Sequence, residues 1–354
     1  YYITNNLSMT TATEASRPVN AEQHSPPKGG VLWETLRSLL FISGTAILTT
    51  IAVKNSVNPY IDKIWGASHD FWGSLWTSIY ELFGRNDFLV HFIGSGLNGI
   101  ICFTVFNALF LLCDITGHPS WLLKYKVQDA KNQPVDRKRL WSCIRTAAFN
   151  LGVVSPVFTL VFYKASLWNG SYHKGDLPTF NRFLLEFLVF NIVEEIFFYY
   201  SHRILHHPKL YARFHKKHHE WTAPIGITSI YCTPLEMVIS NLFPIALGPF
   251  LMQSHLFVTW IWFGLVLFST TLAHGGYHVP FLFSPEAHDY HHKVFNCLYG
   301  TLGILDKLHK TDKPFAGSVH EKRHYISYSL TPIKQIHPEP VRGAGKAGKS
   351  GKAE

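Results

Sequence analysis

Apolar residues gather in long uncharged runs separated by short polar and basic stretches, a pattern that predicts membrane helices rather than the core of a soluble domain. Ser38–Val53 carries no charge, and Phe88–Cys113 is an uncharged run of the length, roughly 20 residues, that a bilayer demands. Thr146–Tyr163 is a third run, and Phe183–Tyr200 a fourth, although the latter includes Glu186, Glu194 and Glu195. From Trp221 to Ala273 the one charged residue is Glu236, and the stretch is long enough for two passes. The turn between them is expected at Pro244, Gly248 and Pro249. Between the first two runs, Ile61, Ile64, Trp65, Trp72, Leu75, Trp76, Ile79 and Leu82 recur at helical spacing, which predicts an amphipathic helix, either interfacial or packed.

Composition agrees with lipid as the solvent: 47% of residues are hydrophobic, 15% aromatic and only 16% charged. The net charge of +9 is spread between apolar runs rather than along one stripe, which fits basic loops and argues against nucleic acid. Lys124–Arg139 holds six Lys/Arg and so faces the cytoplasm by the positive-inside rule. The next polar loop, Trp168–Asn181, is then luminal, where Asn169-Gly170-Ser171 would be a glycosylation acceptor, and the chain returns to the cytoplasm at Ser201. Five widely spaced cysteines without a C-x-x-C argue against a disulfide framework. Residues 1–30 are polar, without the apolar core of a secretory signal, and Gly343–Glu354 is a Gly/Ala/Lys stretch expected to be disordered. The expected organisation is a polar segment 1–31, an N-terminal membrane region with the amphipathic helix 32–182, a catalytic region 183–333 and a basic tail 334–354.

Chemistry is concentrated in four histidine clusters near the predicted ends of the last spans. His202 and His206 (HRILH) are followed by His215, His218 and His219 (HKKHH), then His274 and His278 (HGGYH) by His288, His291 and His292 (HDYHH). Residues three and four apart share a helix face, so each cluster can aim two or three imidazoles at one point. With 21 histidines in 354 residues, H-x2-H-H should occur by chance roughly 0.1 times, yet two copies are present. Lys and Arg would contact anionic headgroups better than histidines that are mostly uncharged at neutral pH. Ten imidazoles over-supply one structural zinc, which takes four ligands, and suit two metal ions of about five ligands each. Two irons, each keeping a position for dioxygen, use such a set best, with zinc able to replace them in purified or resting protein.

Helical spacing also puts Glu195 on the face of His202, where its carboxylate is expected to hold the second nitrogen of a ligating ring. Glu194, Glu220 and Asp289 are further candidates for that role, each against the plainer alternative of a solvated acid. His320 and His324 lie in a charged stretch remote from any span, and His207, His24, His69, His118 and His337 carry no spacing signal.

The cluster order resembles the fatty acid hydroxylase superfamily of membrane di-iron enzymes. SHRILHHPKLYARFHKKHHEWTAPIG (Ser201–Gly226), HGGYHVPF (His274–Phe281) and HDYHHKVFN (His288–Asn296) are similar to its sterol C4-methyl oxidase branch. Two departures bear on substrate choice: Cys232-Thr233-Pro234 stands where that branch tends to have Ala-His-Pro, and Leu305-Asp306 with Lys310-Thr311-Asp312 where it has Trp-Asp and Gly-Thr-Asp. The resemblance implies an endoplasmic reticulum monooxygenase acting on a C4-methyl sterol. Electrons would come from NAD(P)H through cytochrome b5 and its reductase, which would be separate proteins because no His-Pro-Gly-Gly haem motif is present. The expected fold is an all-α integral membrane protein, multi-pass, with a cytoplasmic-facing dimetal site and the apolar hairpin Ile227–Thr271 helping to form a lipid-access tunnel. A fatty acyl or sphingolipid hydroxylase would use the same site with a different tunnel, and a sterol desaturase or a catalytically silent member is more distant. A metal transporter would need ligands along a path through the membrane, whereas these cluster at span ends.

Overall fold

A segment that crosses lipid must satisfy its own backbone hydrogen bonds, and this chain does so with helices. The computed structural model describes residues 31–56, 58–128, 131–170 and 176–339. The expected disorder of Gly343–Glu354, Ser171 of the glycosylation triplet and most of the polar segment 1–31 therefore lie outside the described residues. The long helices are α1 (Val31–Ser56), α2 (Asn58–Leu82), α3 (Asp87–Thr116), α4 (Arg137–Asn169), α5 (Phe180–Leu205), α6 (Pro234–Met252) and α7 (Leu256–Gly275). Two short helices follow, α8 (Glu286–Val294) and α9 (Ile304–His309). Among the described residues no strand forms beyond one isolated bridge between Lys126 and Tyr277. The chain divides at Ile64/Trp65 into two units, the first holding α1, which encloses the expected run Ser38–Val53.

By length and composition, α3, α4, α6 and α7 are apolar enough to cross a membrane. The fourth expected run forms α5, a helix of 26 residues that also carries Arg182, Glu186, Glu194, Glu195 and Arg203. Side chains start these helices. The Asp136 carboxylate accepts from Arg139 N at the head of α4, Thr179 from Arg182 N at the head of α5, and His255 from Phe257 N at the head of α7.

Helices α3 to α7 alternate in direction, so this bundle has two ends. At one end Trp65 of α2 packs 5.1 Å from Phe180, and Trp76 lies 5.0 Å from His255 and 5.5 Å from Trp260, ring to ring. The aromatic face of α2 is thus packed across the beginnings of α5 and α7. Asn169, which donates to Phe250 O, is at this end too. At the other end lie the histidine clusters and the basic loop that follows α3. Lys126 of that loop is buried in an ion pair with Asp114, 2.7 Å apart, and Tyr277 donates to the same carboxylate. Arg139 stacks on Trp221 and donates to Glu220 O.

The long apolar stretch departs from expectation twice. Residues 223–232 form a buried segment in which a short 3-10 helix, Gly226–Ile230, is flanked by irregular backbone, and the pass begins only at Pro234. Its free carbonyls are served from α4, where Asn150 donates to Ile230 O and Cys232 O, as non-helical backbone in lipid requires. The turn of the hairpin also falls later, at Gln253–His255, and Pro244, Gly248 and Pro249 are inside α6. Pro249 cannot donate to the carbonyl one turn back, Ile245 O, and the indole N–H of Trp262 on α7 donates to it instead, at 2.9 Å. A Cβ on Gly248 would lie 2.9 Å from the Cα of Phe190, so glycine there lets α5 and α6 touch backbone to side. Gly248→Ala should separate these helices and cost roughly 1–3 kcal/mol. Gly99→Ala, in open space, should not, and thermal unfolding of the two variants in detergent compares them.

Candidate metal centre

Four helix ends bring histidines to one place. His202 is in the last turn of α5 and His206 caps it, still in helical conformation, so their rings share a face. His215, His218 and His219 follow on a tight helical turn, His274 ends α7, and α8 carries His288, His291 and His292. Two groups result. His202, His206, His215, His219 and His291 form one, and His218, His274, His288 and His292 the other, with the ligand atoms of each group within 4.8 Å of one another.

Each H-x2-H-H cluster gives its i, i+4 pair to one group and its middle histidine to the other. His215 and His219 join the first while His218 crosses over, and His288 and His292 join the second while His291 crosses over. By this near-symmetry His278 would be the counterpart of His206. The structure places it elsewhere, because Gly276, with φ +66°, ends α7 between His274 and His278 and turns the chain away. His278 Nε2 donates to Tyr325 O at 2.9 Å, and its Nδ1 is 3.9 Å from Glu286. Nine of the ten expected ligands are therefore brought together. His278 joins a separate buried cluster with Glu286 and His320, the latter two 2.7 Å apart. Burial opposes the charge of Glu286, but the neighbouring His278, the hydrogen bond from His320 and the nearby charge of Arg323 outweigh it and hold the carboxyl below its ordinary 4.5.

The nine rings fit metal ions on chemical grounds. Nδ1 of His202 faces Tyr299 O at 2.9 Å, that of His274 faces Thr270 O at 2.9 Å, that of His291 faces Cys297 O at 2.6 Å and that of His292 faces Trp221 O at 3.0 Å. A carbonyl oxygen only accepts, so these Nδ1 atoms carry the proton and their Nε2 atoms present bare lone pairs. Yet the Nε2 atoms converge: His215 and His206 are 2.9 Å apart, His219 and His215 3.0 Å, and His288 and His274 2.9 Å. Lone pairs so placed repel unless a cation sits among them, and neighbouring nitrogens on a metal with bonds of about 2.1 Å lie about 3.0 Å apart. Burial, reinforced by the neighbouring rings, holds His206, His215 and His219 far below the ordinary histidine value and therefore neutral, as ligands must be.

The acids differ from expectation. Glu195 holds no imidazole: its carboxylate accepts from Thr301 N, Leu302 N and Leu305 N, and so fixes the loop whose Tyr299 carbonyl orients His202. Both carboxylate oxygens of Asp289 accept from Nε2 of Gln128 rather than from a ring, and burial pushes the group up to about 6, the amide opposing this. Glu220 accepts from Tyr231. Sequence reasoning missed Glu236, whose Oε1 is 2.8 Å from Nδ1 of His215. Its signal was its isolation, as the one charge in a long apolar stretch, though nothing in the spacing tied it to a histidine.

The profile of the fatty acid hydroxylase family matches residues 187–311, a stretch that contains all nine converging histidines. Fatty acid hydroxylase domain-containing protein 2 of Macaca fascicularis is 44% identical over 310 residues, 88% of this chain and 93% of that protein. The chain belongs to the fatty acid hydroxylase family. Like other members of this metal-dependent oxygenase family, it is an oxidoreductase. A fatty acid hydroxylase of Mycosarcoma maydis is 33% identical over 80% of this chain and 72% of its own length. A Dictyostelium discoideum protein named as a methylsterol monooxygenase is 30% identical over 74% of this chain and 95% of its own length. No solved structure matches the chain.

Three outcomes are expected. His278→Asn should leave metal content, read by inductively coupled plasma mass spectrometry, unchanged, whereas His288→Ala or His291→Ala should reduce it. Glu236→Gln should weaken metal affinity roughly 10-fold, as loss of an outer partner does. In metal-free protein, burial and the neighbouring rings keep His215 and His219 neutral far below the pH at which they take protons in the unfolded chain. Acidification through the ordinary histidine range then favours the unfolded state, and unfolding scans at pH 7 and 5 should show lower stability at pH 5.

Proposed function

We propose that this family member is an endoplasmic reticulum monooxygenase that hydroxylates a C–H bond of a lipid, a C4-methyl sterol, at a pair of iron ions facing the cytoplasm. The observation that carries this reading is the convergence of nine neutral, lone-pair-bearing imidazoles in two adjoining groups of five and four. Iron bound there would supply the reduction of dioxygen, so that lipid R–H, O2, two electrons and two protons give R–OH and water. The chain's own residues do the rest. Main-chain carbonyls orient His202, His274, His291 and His292, Glu236 adds basicity to His215, and burial of the rings excludes bulk water. His218, His274, His288 and His292 would hold one ion with one histidine fewer than the group that would hold the other.

Residues 183–333 form the catalytic region in this reading, with α5 as a further pass beside the four apolar spans. The basic loop after α3 lies at the histidine end and Asn169 at the other, which supports a cytoplasmic site by the positive-inside rule. Arg213, Lys216 and Lys293 are exposed around the clusters, a surface suited to an acidic electron donor such as cytochrome b5, itself reduced from NAD(P)H. The hairpin Ile227–Thr271 reaches the centre through Glu236 and would help to guide a lipid to it.

A second reading, a fatty acyl hydroxylase, draws support from the Mycosarcoma maydis relative, whose identity and matched share of this chain both exceed those of the methylsterol monooxygenase. Cells lacking the protein, rescued by wild type or by His291→Ala with His292→Ala, distinguish the two by lipid mass spectrometry. Accumulation of 4-methylsterols that only wild type reverses is the expected result. Unchanged sterols with lost hydroxy-acyl lipids would transfer the assignment to the second reading. Mössbauer spectra of protein grown on enriched iron should show a coupled iron pair.

A further inference from the structure

The segment that follows the last histidine cluster is built in an unusual way. Five of its backbone N–H groups are taken by two buried carboxylates: Glu195 accepts from Thr301, Leu302 and Leu305, and Asp306 from Tyr299 and Gly300. The fit is tight, since a Cβ on Gly300 would lie 2.8 Å from Glu195 Oε1 and 3.0 Å from Asp306 Oδ2. A loop in water has no need of this, because water serves its donors. Backbone at membrane depth does need it.

Depth is set by α5. Glu195 lies eight residues before Arg203, the first basic residue at the histidine end of that helix, so the loop is seated about 12 Å further along the axis than the charge. Down the same helix Leu184, Leu188, Ile192, Ile196, Tyr200 and Ile204 form an exposed apolar stripe at i, i+4 spacing. Tyr200 of that stripe is hydrogen-bonded to His309 at the end of α9, 3.0 Å apart, so stripe and loop meet. The loop itself turns Leu302, Ile304 and Leu308 outward, 50%, 59% and 69% exposed, while Lys307 and Lys310 flank them. Apolar side chains on one side with lysines beside them are what a bilayer's headgroup boundary selects.

We infer that residues 299–309 form a loop inserted into the lipid leaflet on the histidine side, with Leu302, Ile304 and Leu308 among the acyl chains and Lys307 and Lys310 at the headgroups. The loop thereby ties the leaflet to the metal centre, because its first carbonyl, Tyr299 O, fixes the His202 ring. The inference rests on the proposed membrane topology, in which α5 spans, and extends it to a segment with no span of its own.

The test uses single cysteines at Leu302, Leu308, Lys313 and Val105 in a Cys102→Ser background, the other four native cysteines being buried. Each is spin-labelled in full-length protein in nanodiscs of phosphatidylcholine and phosphatidylserine. Collision with dioxygen, which concentrates in lipid, is compared with collision with a water-soluble nickel chelate. At Leu302→Cys and Leu308→Cys dioxygen should dominate several-fold, as at Val105→Cys on the exposed face of α3, whereas nickel should dominate at Lys313→Cys. Labels at 302 and 308 that behave like the one at 313, or that are shielded from both reagents by a protein contact, overturn the inference while leaving the spans intact. A label at 105 that meets nickel instead would remove the spanning topology, and the inference with it.

Discussion

Nine imidazole lone pairs pointed at one another are a repulsive arrangement, and the rest of the histidine end is organised to hold it. Each ring must be neutral, turned to the correct tautomer and kept from swinging out. Burial secures the first condition, and for His202, His215, His274, His291 and His292 acceptors placed at Nδ1 secure the other two. Those acceptors come from scattered parts of the chain: the loop after α8, the residue following HKKHHE, the preceding turn of α7 and the start of α6. The helices are therefore held in register by the centre as much as the centre is held by them.

The surrounding structure reads as a series of accommodations to that demand. The basic loop is clamped down by Lys126 on Asp114 and by Arg139 on Trp221, and Trp221 in turn offers its carbonyl to His292. The buried segment between residues 222 and 233 lets the chain leave the HKKHH turn and enter α6 with Glu236 beside His215. Asn150, projecting from α4, makes this detour tolerable away from water.

Much of this was legible in the sequence, for reasons that can be named. The i, i+4 spacing in HRILH and HDYHH survives because each lies on helical backbone, that in HKKHH because a π-helical turn runs through Lys216 and Lys217 into a 3-10 turn, and the uncharged runs become helices because lipid allows little else. HGGYH misled because its two glycines stop a helix, a signal that was present and should have separated His278 from His274. The hairpin turn was misplaced for the opposite reason: Pro249 looked like a breaker, but a tryptophan on the neighbouring helix serves the carbonyl it strands, and no local pattern announces that. Glu195 was found as a residue that matters and given the wrong partner. The partners of the rings are mostly main-chain carbonyls, and every residue has one, so composition is blind to them.

That reliance on the main chain has an evolutionary side. Side chains at positions 221, 270, 297 and 299 can change without altering the oxygen that each presents to a ring. Ligand orientation is thereby insulated from point mutation, provided the backbone path is kept. Glu236 is different, because its contact with His215 is made by a side chain, and one nucleotide change can remove it. Drift elsewhere in the chain can then proceed while the metal chemistry stays constant, and the most direct single-residue lever on the electronic character of the centre is one glutamate.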